Sequence, residues 1–66
     1  MNISFEQFVE IIRKREIYRH SHELAIDTIE NGGRNMDTLM LVHREMMSKI
    51  DNREFMYNEY LNFIKG

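Results

Sequence analysis

The chain has one strong helix-stop signal, a glycine pair within Asn31-Gly32-Gly33-Arg34-Asn35, and it contains no proline. Apolar residues recur at helical spacing both before and after this segment. Glycine at a helix end is typical of a C-cap, because it adopts the left-handed backbone conformation at little cost. A helix that stops here and restarts within a few residues has to fold back on itself. The sequence therefore predicts an all-α fold, a helical hairpin with its turn at residues 31–35.

A long first helix is predicted over about residues 5–30. Ser4 and Gln7 have the spacing of a capping box, and Ile3 and Phe8 match the hydrophobic staple that often accompanies one. A seam with steps of three and four residues follows: Phe8, Ile11, Arg15, Tyr18, His22, Ala25 and Ile29. We expect this seam to face the rest of the protein, although the charged residues 13–16 leave a break in the helix as an alternative.

Two shorter helices are predicted after the turn, over about residues 36–50 and 52–64. Asn35 suits the N-cap of the first of them, and Asp51 with Glu54 repeats the capping-box spacing, which predicts a kink or restart at 51–52. The seam of the middle helix comprises Met36, Met40, His43, Met47 and Ile50. The two helices either lie end to end along helix 1, which leaves an apolar face open for a partner chain, or close a three-helix bundle.

The chain of 66 residues is expected to form a single helical domain with a marginal core. A protein of this size buries only about 60% of its unfolded surface, and small folds usually need a disulfide, a metal or an oligomer interface. There is no cysteine, so disulfides and thiolate metal sites are excluded. We therefore expect a bundle completed by dimerisation or a higher oligomer.

The charge and hydropathy of the chain argue against nucleic acid and membrane as its main partners. The net charge is −2 and the isoelectric point is near 5.9, which is not the electrostatic pattern of a general nucleic-acid binder. The N-terminus lacks the basic start and apolar core of a signal peptide, and no apolar run approaches the ~20 residues of a membrane span. The expected location is the cytoplasm, without membrane association.

Two histidines lie at similar distances from the turn, His22 11 residues before Gly33 and His43 10 residues after it. Counting outward from Gly33 places His22 opposite His43, with Ala25 opposite Met40, while His20 falls outside the seam. A facing histidine pair could hold a metal ion with help from a nearby glutamate, or could respond to pH. The preferred interpretation is a polar layer that sets the register of the helices, or two histidines at the edge of the seam that reach water. No cofactor is predicted, and His22 and His43 are weak metal candidates.

A basic cluster lies in the middle of helix 1, formed by Arg13, Lys14, Arg15 and Arg19. Such a cluster can bind phosphate, nucleic acid or nucleotide. Glutamates at positions 10, 16 and 23 interleave with it at i,i+3 and i,i+4 spacing, which is more typical of a solvated, ion-paired helix face.

Methionine and aromatic residues concentrate in the second half of the chain. Methionine is adaptable and is frequent at binding surfaces, and an exposed apolar patch usually marks an association site. The residues predicted to contact a protein partner or a second copy are Met46, Phe55, Met56, Tyr57, Tyr60 and Phe63. No nucleophile with a base and no phosphate-binding glycine loop is evident, so we predict no catalytic residues and no enzymatic activity.

Glu30 and Asn31 resemble the end of an inhibitory motif, Ser/Thr-x-x-x-Glu-Gly/Asn, that antitoxins of Fic-type AMP-transferases carry on a helix. Leu24 and Ala25 precede it in a similar helical context. Ile26 stands where that motif has Ser or Thr, so the resemblance is confined to two residues and a small part of the chain.

The function predicted from the sequence is that of a small non-catalytic regulatory or inhibitory protein that binds another protein. Its size is similar to that of phage- or plasmid-type accessory proteins and antitoxins. The alternative is binding of nucleic acid or nucleotide through the basic cluster, and a histidine metal site ranks third.

Overall fold

The computed structural model describes residues 3–66, which form three helices and no strand. These are α1 (Phe5–Asn31), α2 (Met36–Asp51) and α3 (Arg53–Lys65). Each observed end lies within one residue of its predicted position. The prediction of an all-α fold, in which a long helix packs against two shorter ones, is confirmed.

The helix α1 starts at the predicted capping box and continues without a break. The Ser4 hydroxyl accepts the Gln7 backbone N–H at 3.1 Å, and the Gln7 side chain accepts the Ser4 N–H at 2.9 Å. The charged stretch at residues 13–16 is fully helical, so the alternative of a break there is wrong. The helix ends at Gly32, whose φ of 63° places it in the left-handed region.

The junction between α2 and α3 consists of the single residue Asn52. Its side-chain oxygen accepts the Phe55 N–H at 3.0 Å, so Asn52 caps α3 one residue later than the predicted Asp51. The aromatic rings of α3 then pack across the first turns of α1, where Phe8 contacts Tyr60 and Phe63. The longest dimension of the molecule is 42 Å, close to the roughly 40 Å length of α1 alone. Thus α3 folds back against α1 and does not extend α2.

The hydrophobic core lies at one end of the molecule, where all three helices meet. Its buried members are Phe8, Ile50 and Met56. The apolar residues packed around them are Ile3, Phe5, Val9, Ile12, Met47 and Tyr60. The described part of the hairpin nearer the turn has no buried apolar residue, although Leu24 and Leu39 are partly buried. Polar contacts of Glu16 and Asp27 join α1 to α2 and to the turn there.

The predicted seam of α1 is wrong beyond Phe8. Tyr18 and Ile29, which belong to that seam, are 74% and 83% exposed. The stripe of α1 that actually faces inward contains Phe5, Val9, Ile12, Glu16, His20, Glu23 and Asp27. Two acidic residues occupy the interior because donors on α1 and α2 satisfy them, and this rotates the apolar seam toward solvent.

Candidate functional site

A buried carboxylate joins α1 to α2 at mid-height. Glu16 is only 5% exposed, and it accepts two hydrogen bonds from the Arg19 guanidinium, at 2.9 and 2.8 Å. Its Oε2 also lies 2.6 Å from Nδ1 of His43, the one partner on α2. Arg19 in turn pairs with Glu23 at 2.7 Å. We call these four residues, with His20, the polar centre.

The ionisation of Glu16 depends on its hydrogen-bond donors. Burial by itself raises the pKa of Glu16, but the hydrogen bonds and positive charges of His43 and Arg19 outweigh it and hold that pKa below its usual value. The carboxylate is therefore ionised at neutral pH, and His43 must carry its proton on Nδ1 to donate to it. Both oxygens of Glu16 are committed to these contacts, which suits a structural role.

The histidine that pairs with His43 is His20 and not His22. The rings of His20 and His43 stack with centroids 3.9 Å apart and planes 7° apart. His22 stacks instead on Tyr18 of its own helix, at 6.1 Å. The predicted His22–His43 pair is wrong because the acidic stripe turns His22 away from α2. Nowhere in residues 3–66 do three or more His, Cys, Asp or Glu side chains come together as a metal site.

A second buried carboxylate, Asp27, fastens the turn. Its oxygens accept the backbone N–H of Asn35 at 3.0 Å and the Asn35 side-chain amide at 3.1 Å. The Asn31 amide adds a longer contact at 3.3 Å. Asn35 is the N-cap of α2, as predicted, but its side chain bonds to Asp27 and makes no cap hydrogen bond. The preceding helix thus fixes the start of α2.

The basic cluster is largely paired with carboxylates. Arg13 lies 3.0 Å from Asp51, and Lys14 lies 3.1 Å from Glu10. Arg19 belongs to the polar centre, and Arg15 lines an open groove between α1 and α2. The cluster therefore does not present four free cations on one surface.

The predicted association residues do not form one surface. Met56 is 2% exposed and belongs to the core, so its prediction as a surface contact is wrong. Tyr60 packs against that core, and its hydroxyl donates to the Ile3 carbonyl. Phe55 is 39% exposed, while Tyr57 is 49% exposed and packs edge-on against Phe5. The remaining two residues, Met46 and Phe63, are also exposed.

An apolar pocket opens between the helices at the core end. Its volume is about 240 Å³, and we call it the anchor pocket. It is lined by Phe8, Ile12, Met46, Lys49, Ile50, Phe55, Met56 and Glu59. A longer groove of about 740 Å³ runs from it along α1 and α2, sharing Ile12, Met46 and Ile50. The exposed Phe55 and Met46 belong to this pocket, whereas Tyr57 lies outside it.

Sequence reasoning missed Glu16, His20 and Asp27 as interior residues. One signal was available, because Glu16 continues the spacing of Phe5, Val9 and Ile12. Its charge made that stripe less apolar than the seam that includes Tyr18 and Ile29.

Comparisons with protein-family models, curated proteins and solved structures find no match to this chain. Among the described helices, none has an apolar stretch long enough to cross a membrane.

Proposed function

We propose that this is a small non-catalytic protein that regulates or inhibits another protein by binding it at the anchor pocket. The observation that carries the proposal is an apolar pocket, edged by exposed Phe55 and Met46, at the end of the molecule with the packed core. Packing behind the pocket keeps its floor fixed, which favours binding because little order has to be gained on association.

The occupant that fits best is one large apolar side chain on a partner helix. At about 240 Å³ the pocket is smaller than the roughly 300–1,000 Å³ of typical small-molecule sites. Binding energy at protein interfaces concentrates in such anchor side chains, and helices lie readily in grooves like the one that leads away from this pocket. Lys49 and Glu59 at the pocket add one charge of each sign for polar contacts around the anchor.

Phe55→Ser tests the proposal, with Tyr57→Ser as the matched control. Both residues lie on α3 and are exposed to a similar extent, but only Phe55 lines the pocket. Immobilised protein is incubated with a lysate of the native host, and retained proteins are compared by mass spectrometry. We expect a protein that the wild type and Tyr57→Ser retain and Phe55→Ser loses. Identical sets of retained proteins for Phe55→Ser and the wild type would contradict the proposal, once circular dichroism shows equal helix content.

Nucleic-acid binding through the basic cluster has less support. Arg13, Lys14 and Arg19 each have a carboxylate partner, which leaves Arg15 as the member without one among the ion pairs of residues 3–66. Phosphate binding releases counterions and weakens as salt rises. A gel shift at low salt that disappears at high salt and in Arg15→Ala would revive this alternative.

A further inference from the structure

The outer side of α1 carries an apolar stripe that no other described element covers. It consists of Ile11, Arg15, Tyr18, His22, Ala25 and Ile29. The two most exposed apolar members are Tyr18 and Ile29. Their spacing of four and three residues is that of a coiled-coil seam, which keeps them on one line along a helix. We call it the outer stripe.

We propose that the outer stripe packs antiparallel against the outer stripe of a second copy of this chain. The proposal does not depend on the anchor pocket, which lies between α1, α2 and α3. Three residues of the outer stripe, Arg15, Tyr18 and His22, also line the longer groove, so a second copy would cover that part of the groove. Three observations favour a second copy as the occupant: the surface area of the chain, the order of the residues along the stripe and the placement of two rings at its centre.

The chain exposes more surface than a compact monomer of its mass. Its accessible surface is 5326 Å², whereas a folded monomer of 8.1 kDa exposes about 4,500 Å². The excess is roughly 800 Å², the area that each partner buries in an interface of standard size. The radius of gyration is 14.3 Å, against about 11 Å for a compact chain of this length. One interface of ordinary size would thus bring the surface to the value expected for a folded protein.

The residue order favours the antiparallel direction. With the two helices crossing at position 20, Ile11 faces Ile29 of the second copy, and Arg15 faces Ala25. Alanine leaves room for the arginine stem to cover apolar surface while its charge reaches water. A parallel pair would instead set Arg15 against Arg15, which places like charges next to each other in the seam. Antiparallel packing also sets opposite ends of the helix dipoles side by side.

Two rings stack on each other at the crossing point. Tyr18 and His22 stack with their planes 5° apart and lie on either side of position 20. In the antiparallel pair, Tyr18 faces His22 of the second copy, so four rings meet at the two-fold axis. Aromatic side chains bury a large area at a small entropic cost.

Single-cysteine variants test the proposal directly, because the chain has no cysteine of its own. We use Ile11→Cys and Ile29→Cys, each alone and mixed, under mild oxidation with glutathione. In the antiparallel pair the two copies of position 11 lie roughly 27 Å apart, far beyond the ~7 Å limit for a disulfide. We expect disulfide-linked dimers in the mixture to form at least about tenfold faster than in either variant alone, because pairing raises the effective thiol concentration.

Rapid dimers of each variant alone would show parallel packing and overturn the proposal. Equal, slow rates in all three samples would also overturn it and leave the stripe to another occupant, such as a different protein or a lipid surface. Adding Tyr18→Glu to both variants should remove the preference for the mixture. Adding Phe55→Ser should keep it, so a failure here is distinguishable from a failure of the proposed function.

Discussion

At the scale of single residues, two buried carboxylates decide how α1 faces α2. Glu16 holds His43 at mid-height, and Asp27 holds the backbone of Asn35 at the turn. A buried charge is costly unless hydrogen bonds satisfy it, and both carboxylates have several donors. Because these donors sit on fixed positions of α2 and the turn, the carboxylates select one rotation of α1 about its own axis.

The first prediction concerns Glu16→Gln. The substitution keeps the side-chain shape but removes the charge that Arg19 and His43 stabilise. Hydrogen bonds to charged groups contribute about 1.5–3 kcal/mol, so we expect a loss of that order in the free energy of unfolding at pH 7, measured in urea. Glu10→Gln is the control, since its ion pair with Lys14 is exposed and contributes less than about 1 kcal/mol.

The stability difference between the wild type and Glu16→Gln should depend on pH. The pKa of Glu16 is lower in the folded protein than its usual value of about 4.3, so the unfolded chain takes up the proton first as pH falls. The contribution of Glu16 is thus fully present above that usual value and is lost as pH drops through the folded pKa. A difference that stays constant from neutral to acidic pH would contradict the role assigned to this carboxylate.

Asp27→Ala should loosen the turn without unfolding α1. The backbone N–H of Asn35 loses its acceptor, and a lost partner of this kind costs about 1–3 kcal/mol. Amide hydrogen exchange offers a local measurement, and we expect faster exchange at Asn35 than in the wild type. Glu30→Ala removes an exposed carboxylate of the same helix and should leave that exchange rate unchanged.

At the scale of elements, the ends of the helices could be predicted from local signals in the sequence. The side of α1 that faces the interior could not. The capping box at Ser4 and the stop at Gly32 were predictable because they depend on neighbouring residues. The inward stripe was not predictable, since α1 carries apolar residues on two sides and the interior side includes Glu16. The donors outside α1, His43 on α2 and Asn35 at the turn, distinguish that side as the interior, and the pattern of α1 does not contain them.

In the candidate site, too, some features could be predicted from the sequence and others depend on how the helices pack. The exposure of Met46 and Phe55 could be predicted from composition, and both residues line the anchor pocket. The burial of Met56 could not, because it depends on α3 folding back against α1. His20 lies next to His43 in place of the predicted His22, because of the rotation of α1.

Gly32 supports the turn through its backbone conformation alone. Its φ is +63°, and apart from Gly32 and its two chain neighbours no heavy atom of the described residues lies within 4 Å of the place where a Cβ would be. Gly32→Ala should therefore cost about 1–2 kcal/mol of stability, entirely from the left-handed conformation. Since 66 residues are accessible to chemical synthesis, D-alanine at this position is the matched control. We expect D-alanine to preserve or raise the melting temperature, and equal losses for both forms would contradict this reason.

At the scale of the whole molecule, the hydrophobic core occupies one end, and the rest of the hairpin consists of two helices with exposed apolar side chains. The core residues Phe8, Ile50 and Met56 lie where three helices meet, while the rest of the hairpin has polar contacts inside and apolar side chains outside. Hydrophobic stabilisation is roughly proportional to the apolar area removed from water. The exposed apolar side chains of the outer stripe therefore contribute little to the stability of a single chain. We infer that association, and not further folding, covers the outer stripe.

The mass in solution tests this central claim most directly. Sedimentation equilibrium of the wild type, at concentrations from about 1 μM to 1 mM to span ordinary affinities, should give twice 8.1 kDa at the upper end. Tyr18→Glu should give 8.1 kDa throughout while retaining its helix content, because a charge would then lie at the centre of the seam. A wild-type mass of 8.1 kDa over the whole range, the same as that of Tyr18→Glu, would contradict the account.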